Sequence, residues 1–405
     1  MKPPSYAAPR PSPEDPTART WADVDLARIA ANLRALKAHL PAGTDVLMPV
    51  KANAYGHGLV PVARAARAAG AWGVGVAALD EAHALRAAAV EGPVVCLMPI
   101  LPEECSRAVG LDVIAAITAW PQAEALAAAG RSLGREVPVH VEVDTGMGRA
   151  GAWDYEAAEL IQRIGELPGL RVDGMFTHFA CAEEADRGPT ERQLDRFDTL
   201  LRGLAEHGIR PPRVHVANSA AALRFRGASQ ALVRPGIALY GSIEEIARDT
   251  DRRSDDDVPA GEVDAEAFKP ALSWHARVLA VKTLRAGDSV GYNRRYVAPE
   301  AERIAVLGVG YGDGWPYSLS NRGHVLLRGR RVPIRGAVCM DLTMVDATPL
   351  PDLEVGEVAT LIGSQGGEHQ TVAEVGRAAD LMSYAIFTGI TERVRRRYTE
   401  EAHHG

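Results

Sequence analysis

The sequence has no surplus of positive charge, few cysteines and no long apolar run. Its 45 Lys and Arg stand against 52 Asp and Glu, a net charge of −7. With no clustered basic patch, this argues against a nucleic-acid partner. The four cysteines, Cys96, Cys105, Cys181 and Cys339, show neither CxxC nor metal-ligand spacing. Free thiols in a reducing cytoplasm are expected, and no metal. No apolar stretch reaches the roughly 20 residues that a membrane span needs. The first residues lack the apolar core of a signal peptide, so neither membrane insertion nor export is expected. Internal repeats and low-complexity segments are also missing.

What is present is alternation. At 405 residues the chain is long enough for two cores. Residues 1–20 are proline-rich and poor in large apolar groups, which predicts a disordered tail. From Trp21 onward short apolar runs alternate with alanine-rich helical patterns. Strands are predicted at 72–77, 94–97, 139–143, 172–176 and 214–216, with helices such as 80–89 and 155–164 between them. Repeated βα units over 21–243 predict an α/β fold with an N-terminal (β/α)₈ barrel. Residues 244–269 are acidic and polar, with Asp255-Asp256-Asp257, and are expected as a surface loop or linker. Strand-like runs at 274–281, 304–309, 324–327, 332–334 and 358–362, separated by Gly and Pro, predict a mostly β second domain over 270–398, then a tail over 399–405.

One lysine draws the chemistry. Lys51 ends the apolar run 46–50 and is followed by Ala52-Asn53-Ala54-Tyr55-Gly56-His57-Gly58 and a helix-like stretch over 59–69. Strand, lysine, tight loop and helix present an amine at the mouth of an α/β barrel. An amine there, its pKa depressed by neighbours, forms a Schiff base with an aldehyde. A lysine at a strand end is more often a plain surface residue; the residues around this one decide otherwise.

That segment resembles the pyridoxal-phosphate attachment site of alanine racemases. The likeness recurs in the family's order at Asp144-Thr145-Gly146-Met147-Gly148-Arg149, Thr177-His178-Phe179-Ala180, Ala217-Asn218-Ser219, Val233-Arg234-Pro235-Gly236-Ile237-Ala238-Leu239-Tyr240-Gly241, Gly291-Tyr292, Gly310-Tyr311-Gly312-Asp313-Gly314 and Cys339-Met340-Asp341. It covers nearly the whole chain after the tail. The ordered set carries the resemblance where one motif would not.

The resemblance implies a barrel that binds pyridoxal 5'-phosphate on Lys51, with the run near residues 21–24 joined to the second domain. It implies interconversion of L- and D-alanine by two bases, Lys51 and Tyr292, on opposite faces of the substrate. The α-proton is too weakly acidic for any side chain alone, and the cofactor supplies that acidity. Tyrosine, with a reference pKa of about 10, needs a cationic or hydrogen-bonded setting to act as a base; the family's pattern assigns this to His178 and Arg234. Arg234 is implied to donate to the cofactor's pyridine nitrogen. A lasting cation there discourages protonation of the ring and so limits transamination. Related barrel decarboxylases carry glutamate at that point. Tyr55, Tyr384, Ser219 and the N–H groups of Gly236 and Ile237 are implied to hold the phosphate, with Asn218 orienting their loop. Arg149 is implied to reach the cofactor's phenolic oxygen and the substrate carboxylate. Met340 is implied to bind that carboxylate through its N–H, Tyr311 to line the pocket, and Asp313 and Asp341 to brace loops.

A homodimer with shared active sites and a role in supplying D-alanine for peptidoglycan follow from the same likeness. So do the departures from it. Glu142 stands where many members carry a lysine that becomes carbamylated, and is expected to align Arg149 by a charge-assisted hydrogen bond. Ser383-Tyr384-Ala385 lacks the usual glutamate after the tyrosine. Glu183, Tyr317 and Ala337 replace an aspartate and two arginines of the entrance. A serine or broader racemase of this fold is the nearest alternative; a decarboxylase conflicts with Arg234, and a non-catalytic cofactor carrier conflicts with the second domain.

Overall fold

The computed structural model describes residues 17–247 and 265–399. The tail up to residue 16, the acidic stretch 248–264 and residues 400–405 lie outside the described residues. Among the described residues two compact units are present: one within Leu26–Pro270, and one of residues 17–25 joined with 271–399.

Eight parallel strands close the first unit into a barrel. They are Asp45–Pro49, Gly73–Val76, Val94–Pro99, Ile114–Ile117, Val137–Asp144, Leu170–Phe176, Arg213–His215 and Leu232–Val233. The last returns to the first through Leu232↔Asp45 and Val233↔Val46. Parallel strands covered on both faces are apolar on both faces. Accordingly Gly73–Val76 and Ile114–Ile117 are buried throughout. The outer helices bury one stripe each. Leu26–His39 turns in Leu26, Ile29, Leu33 and Leu36, and Asp154–Gly165 turns in Ala157, Ile161 and Ile164, at the three- and four-residue spacing of one helix face. Asn32, fully buried in the first of these, fastens the end of the unit. Its amide donates to Leu239 O (3.1 Å) and Lys269 O (2.9 Å) and accepts from Lys269 N (2.9 Å).

The second unit is mainly antiparallel. One sheet runs Arg330–Pro333, His324–Leu327, Val358–Gln365, Leu272–Leu284, Thr20–Asp25 and Arg395–Thr399, with Glu302–Leu307 and Thr343–Asp346 branching from the long central strand. Thr20–Asp25 pairs antiparallel with Leu272–Leu284 and parallel with Arg395–Thr399. Trp274 and Trp315 meet edge to face in its core, centroids 5.6 Å apart. Among the described residues no helix is long and apolar enough to cross a membrane.

Candidate active site

Lys51 follows the first barrel strand and opens a left-handed turn. Ala52, Asn53, Ala54 and Tyr55 have φ of 53, 54, 53 and 51°. Left-handed geometry costs about 1–2 kcal/mol for each residue with a side chain, so the turn has to be held. Gly56 N–H donates to Ala52 O (3.0 Å), Gly58 N–H to Asn53 O (2.8 Å) and Leu59 N–H to Asn53 Oδ1 (2.8 Å). Glu81, in the first turn of the helix Leu79–Ala87, closes the clamp: its carboxylate accepts from Ala52 N–H (2.6 Å) and Ala77 N–H (2.9 Å). Below the turn Tyr240 donates to Pro49 O (2.9 Å) and stacks on Tyr55 at 4.8 Å. Burial pushes the Tyr55 hydroxyl up to about 12.

Sequence reasoning missed Glu81; its only signal is an acidic residue just after a barrel strand. Glu81→Gln keeps one acceptor and turns an amide NH₂ toward the other N–H. We expect a loss of about 1–3 kcal/mol in urea unfolding. Removing this anion also disfavours the charged amine, so Lys51 should be acylated at lower pH than in the parent, as followed by mass spectrometry.

The Lys51 amine is held below its usual pKa by burial, then by Arg149 and Arg234, while Glu81 and Glu142 oppose this. Arg234, 5% exposed, lies in a cage of acceptors. Its Nη1 donates to His215 O (2.6 Å) and His215 Nδ1 (2.7 Å), and its Nη2 to Thr177 O (2.7 Å) and His178 Nδ1 (3.3 Å). Burial brings its pKa down to about 10. Burial and then Arg234, Arg149 and Lys51 push His178 down to about 3, so its ring is neutral at pH 7.

Arg149 ends a loop gathered by Asp144, whose carboxylate accepts from Gly146 N (2.9 Å), Met147 N (2.8 Å) and Arg149 N (3.0 Å). The bond expected between Glu142 and Arg149 is not formed. Glu142 lies inside its strand, 2% exposed with Oε2 unbonded, while Arg149 is exposed beyond the strand end. Burial raises the Glu142 pKa against the pull of Arg234, Arg149 and Lys51. The expectation took charge complementarity for contact.

An anion cradle adjoins these groups. Ser219, Gly236 and Ile237 are buried, and among the described residues the N–H groups of Gly236 and Ile237 donate to nothing. Ser219 Oγ accepts from Ala238 N–H (3.2 Å). A Cβ on Gly236 would lie 2.5 Å from the Tyr55 hydroxyl, so only glycine admits that hydroxyl here. Asn218 caps the helix Ser219–Arg224 by accepting from Ala221 N–H (2.9 Å). Two buried N–H groups that donate to nothing among the described residues, just after Arg234 and against the Tyr55 hydroxyl, suit a phosphate ester.

Tyr292, Tyr311, Met340 and Tyr384 belong to the second unit. Tyr292 follows Gly291 in a short turn and is 70% exposed. Tyr311 N–H donates to Cys339 O (3.0 Å) and Gly312 N–H to Met340 O (2.8 Å), binding the two loops together. Fully buried Asp313 accepts from Arg19 at Nη1 (3.0 Å) and Nη2 (2.6 Å) and from Gly310 N–H (3.0 Å), while Arg393 pairs with Asp341. Tyr384 is the second residue of the helix Ser383–Gly389.

Two family models match: the alanine racemase N-terminal domain over residues 24–244 and its C-terminal domain over 271–398. The chain belongs to the alanine racemase family. It is 41% identical over 384 residues to an alanine racemase of Symbiobacterium thermophilum, covering 94% of this chain and 97% of that one. The solved alanine racemase of Streptomyces coelicolor superposes with a TM-score of 0.87 at 33% identity, covering 96% of this chain and all of that one. That of Bartonella henselae, described with covalently bound pyridoxal phosphate, gives 0.81 at 29% identity, with 94% and 100% covered. The activity is that of an alanine racemase, an isomerase exchanging the two enantiomers of alanine.

Proposed function

We propose that this alanine racemase works with pyridoxal 5'-phosphate held on Lys51 and moves the α-proton with two bases, Lys51 and Tyr292. The observation that carries this reading is Lys51 on its clamped left-handed turn, its amine held down by burial and by Arg149 and Arg234, while Tyr55 of the same turn reaches Gly236, whose N–H donates to nothing among the described residues. When bound, pyridoxal phosphate supplies the electron sink that makes the α-hydrogen acidic. The N–H groups of Gly236 and Ile237, with Ser219, Tyr55 and Tyr384, hold its phosphate. Asn218 keeps their loop in place. Arg234, with neutral His178 beside it, keeps a cation at the ring nitrogen, and Arg149 serves the phenolic oxygen. Lys51 Nζ takes or returns a proton at one face of the α-carbon, and the Tyr292 hydroxyl does so at the other. Arg149 and the Met340 N–H, which donates to nothing among the described residues, take the substrate carboxylate, with Tyr311 lining the pocket. The working form is a homodimer with shared active sites, supplying D-alanine for peptidoglycan.

L-Alanine in deuterated water tests the reading. Optical rotation should vanish while deuterium enters the α-position. Release of carbon dioxide instead would identify a decarboxylase. Tyr292→Phe should cut turnover from L-alanine by roughly 10²–10⁴-fold and leave the absorbance of the cofactor on Lys51 unchanged.

A further inference from the structure

The interior of the barrel holds a file of polar side chains that the reaction above does not use. Arg234 is followed inward by His215, His140 and Asp173, each at most 5% exposed. His215 belongs to Arg213–His215, His140 to Val137–Asp144 and Asp173 to Leu170–Phe176. Arg234 Nη1 lies 2.7 Å from His215 Nδ1, His215 Nε2 lies 2.8 Å from His140 Nδ1, and His140 Nε2 lies 3.8 Å from Asp173 Oδ2. Room for the file is built in: a Cβ on Gly174 would meet the His140 ring at 2.6 Å. Phe176 stacks on the His215 ring at 4.8 Å. Asp173 is itself held by Arg213 (2.8 Å) and by Arg171.

Donor logic fixes every proton in this file. Guanidinium has no acceptor, so His215 Nδ1 must accept from Arg234. A neutral His215 then carries its proton on Nε2 and donates to His140 Nδ1. His140 in turn carries its proton on Nε2, facing the Asp173 carboxylate across an electrostatic gap too long for a hydrogen bond. Protonating either ring would set a donor against a donor. Burial opposes it too, as both histidines are held below their usual pKa by desolvation.

We propose that His215 and His140 are positioning residues: a one-way donor chain, locked neutral, that fixes the guanidinium plane of Arg234 without neutralising it. A carboxylate in place of His215 would hold the arginine as firmly but cancel its charge. Imidazole accepts the bond and leaves the cation in force. The chain thereby protects the product: it keeps Arg234 able to suppress protonation of the ring nitrogen, and with it the side reaction that turns alanine into pyruvate. This last consequence rests on the cofactor reading above; the proton positions do not.

Two measurements on the holoenzyme decide it. In ¹⁵N-histidine spectra, assigned with single histidine variants, His140 and His215 should show the neutral Nε2–H form unchanged from about pH 6 to 9, a range spanning the ordinary histidine pKa. An Nδ1–H form of either ring, or titration in that range, would overturn the proposal. The second readout is pyruvate formed per racemisation turnover. His215→Phe, which removes both bonds, should raise it at least tenfold. His215→Gln, whose amide can accept from Arg234 and donate to His140, should stay within about threefold of the parent. Equal ratios in the two variants would refute the positioning role. Should the Phe variant not fold, the parent spectrum and the Gln ratio still separate the two outcomes.

Discussion

Lys51→Ala is expected to lose roughly 10⁴-fold or more of racemase activity, because one amine both tethers the cofactor and serves as a base. The variant should bind pyridoxal phosphate reversibly, without the absorbance of a lysine adduct, and borohydride should fix no cofactor to residue 51. Its fold should not suffer. The amine is depressed by burial and by Arg149 and Arg234, so its removal relieves repulsion among cations. Urea unfolding should show stability equal to the parent or slightly higher. An inactive variant that was also strongly destabilised would mean that Lys51 is a structural residue.

Arg234→Leu should do the opposite to stability. It strands acceptors that the guanidinium, itself 5% exposed, now satisfies, among them His215 O, Thr177 O and two imidazole Nδ1 atoms. A buried acceptor left without its donor costs about 1–3 kcal/mol, a large part of the stability of an ordinary domain. Urea unfolding measures it. A loss below about 1 kcal/mol would mean that water replaces the guanidinium freely.

How far these features are legible in the sequence depends on range. Barrel strands are readable because burial on both faces writes them as apolar runs, as at 94–97 within Val94–Pro99 and 172–176 within Leu170–Phe176. Sites at strand ends follow, since Lys51, His178 and Arg234 each adjoin such a run. The left-handed turn is not readable: alanine at 52 and 54 carries no signal for positive φ, and the conformation is imposed by Glu81 from another βα unit. His140 and His215 are 75 residues apart, and nothing local marks either as the other's partner. Glu142 and Arg149 show the reverse error, two complementary charges close in sequence that do not touch.

The strand Thr20–Asp25 lies between Leu272–Leu284 and Arg395–Thr399. Both neighbours are made long after it, Arg395–Thr399 last of the three. The barrel, complete by Pro270, can fold while the rest is still being made. This strand must wait, its edges unpaired, until Leu272–Leu284 and then Arg395–Thr399 have left the tunnel. Shortening either terminus into this sheet would therefore strand a nascent edge open to mispairing with other chains.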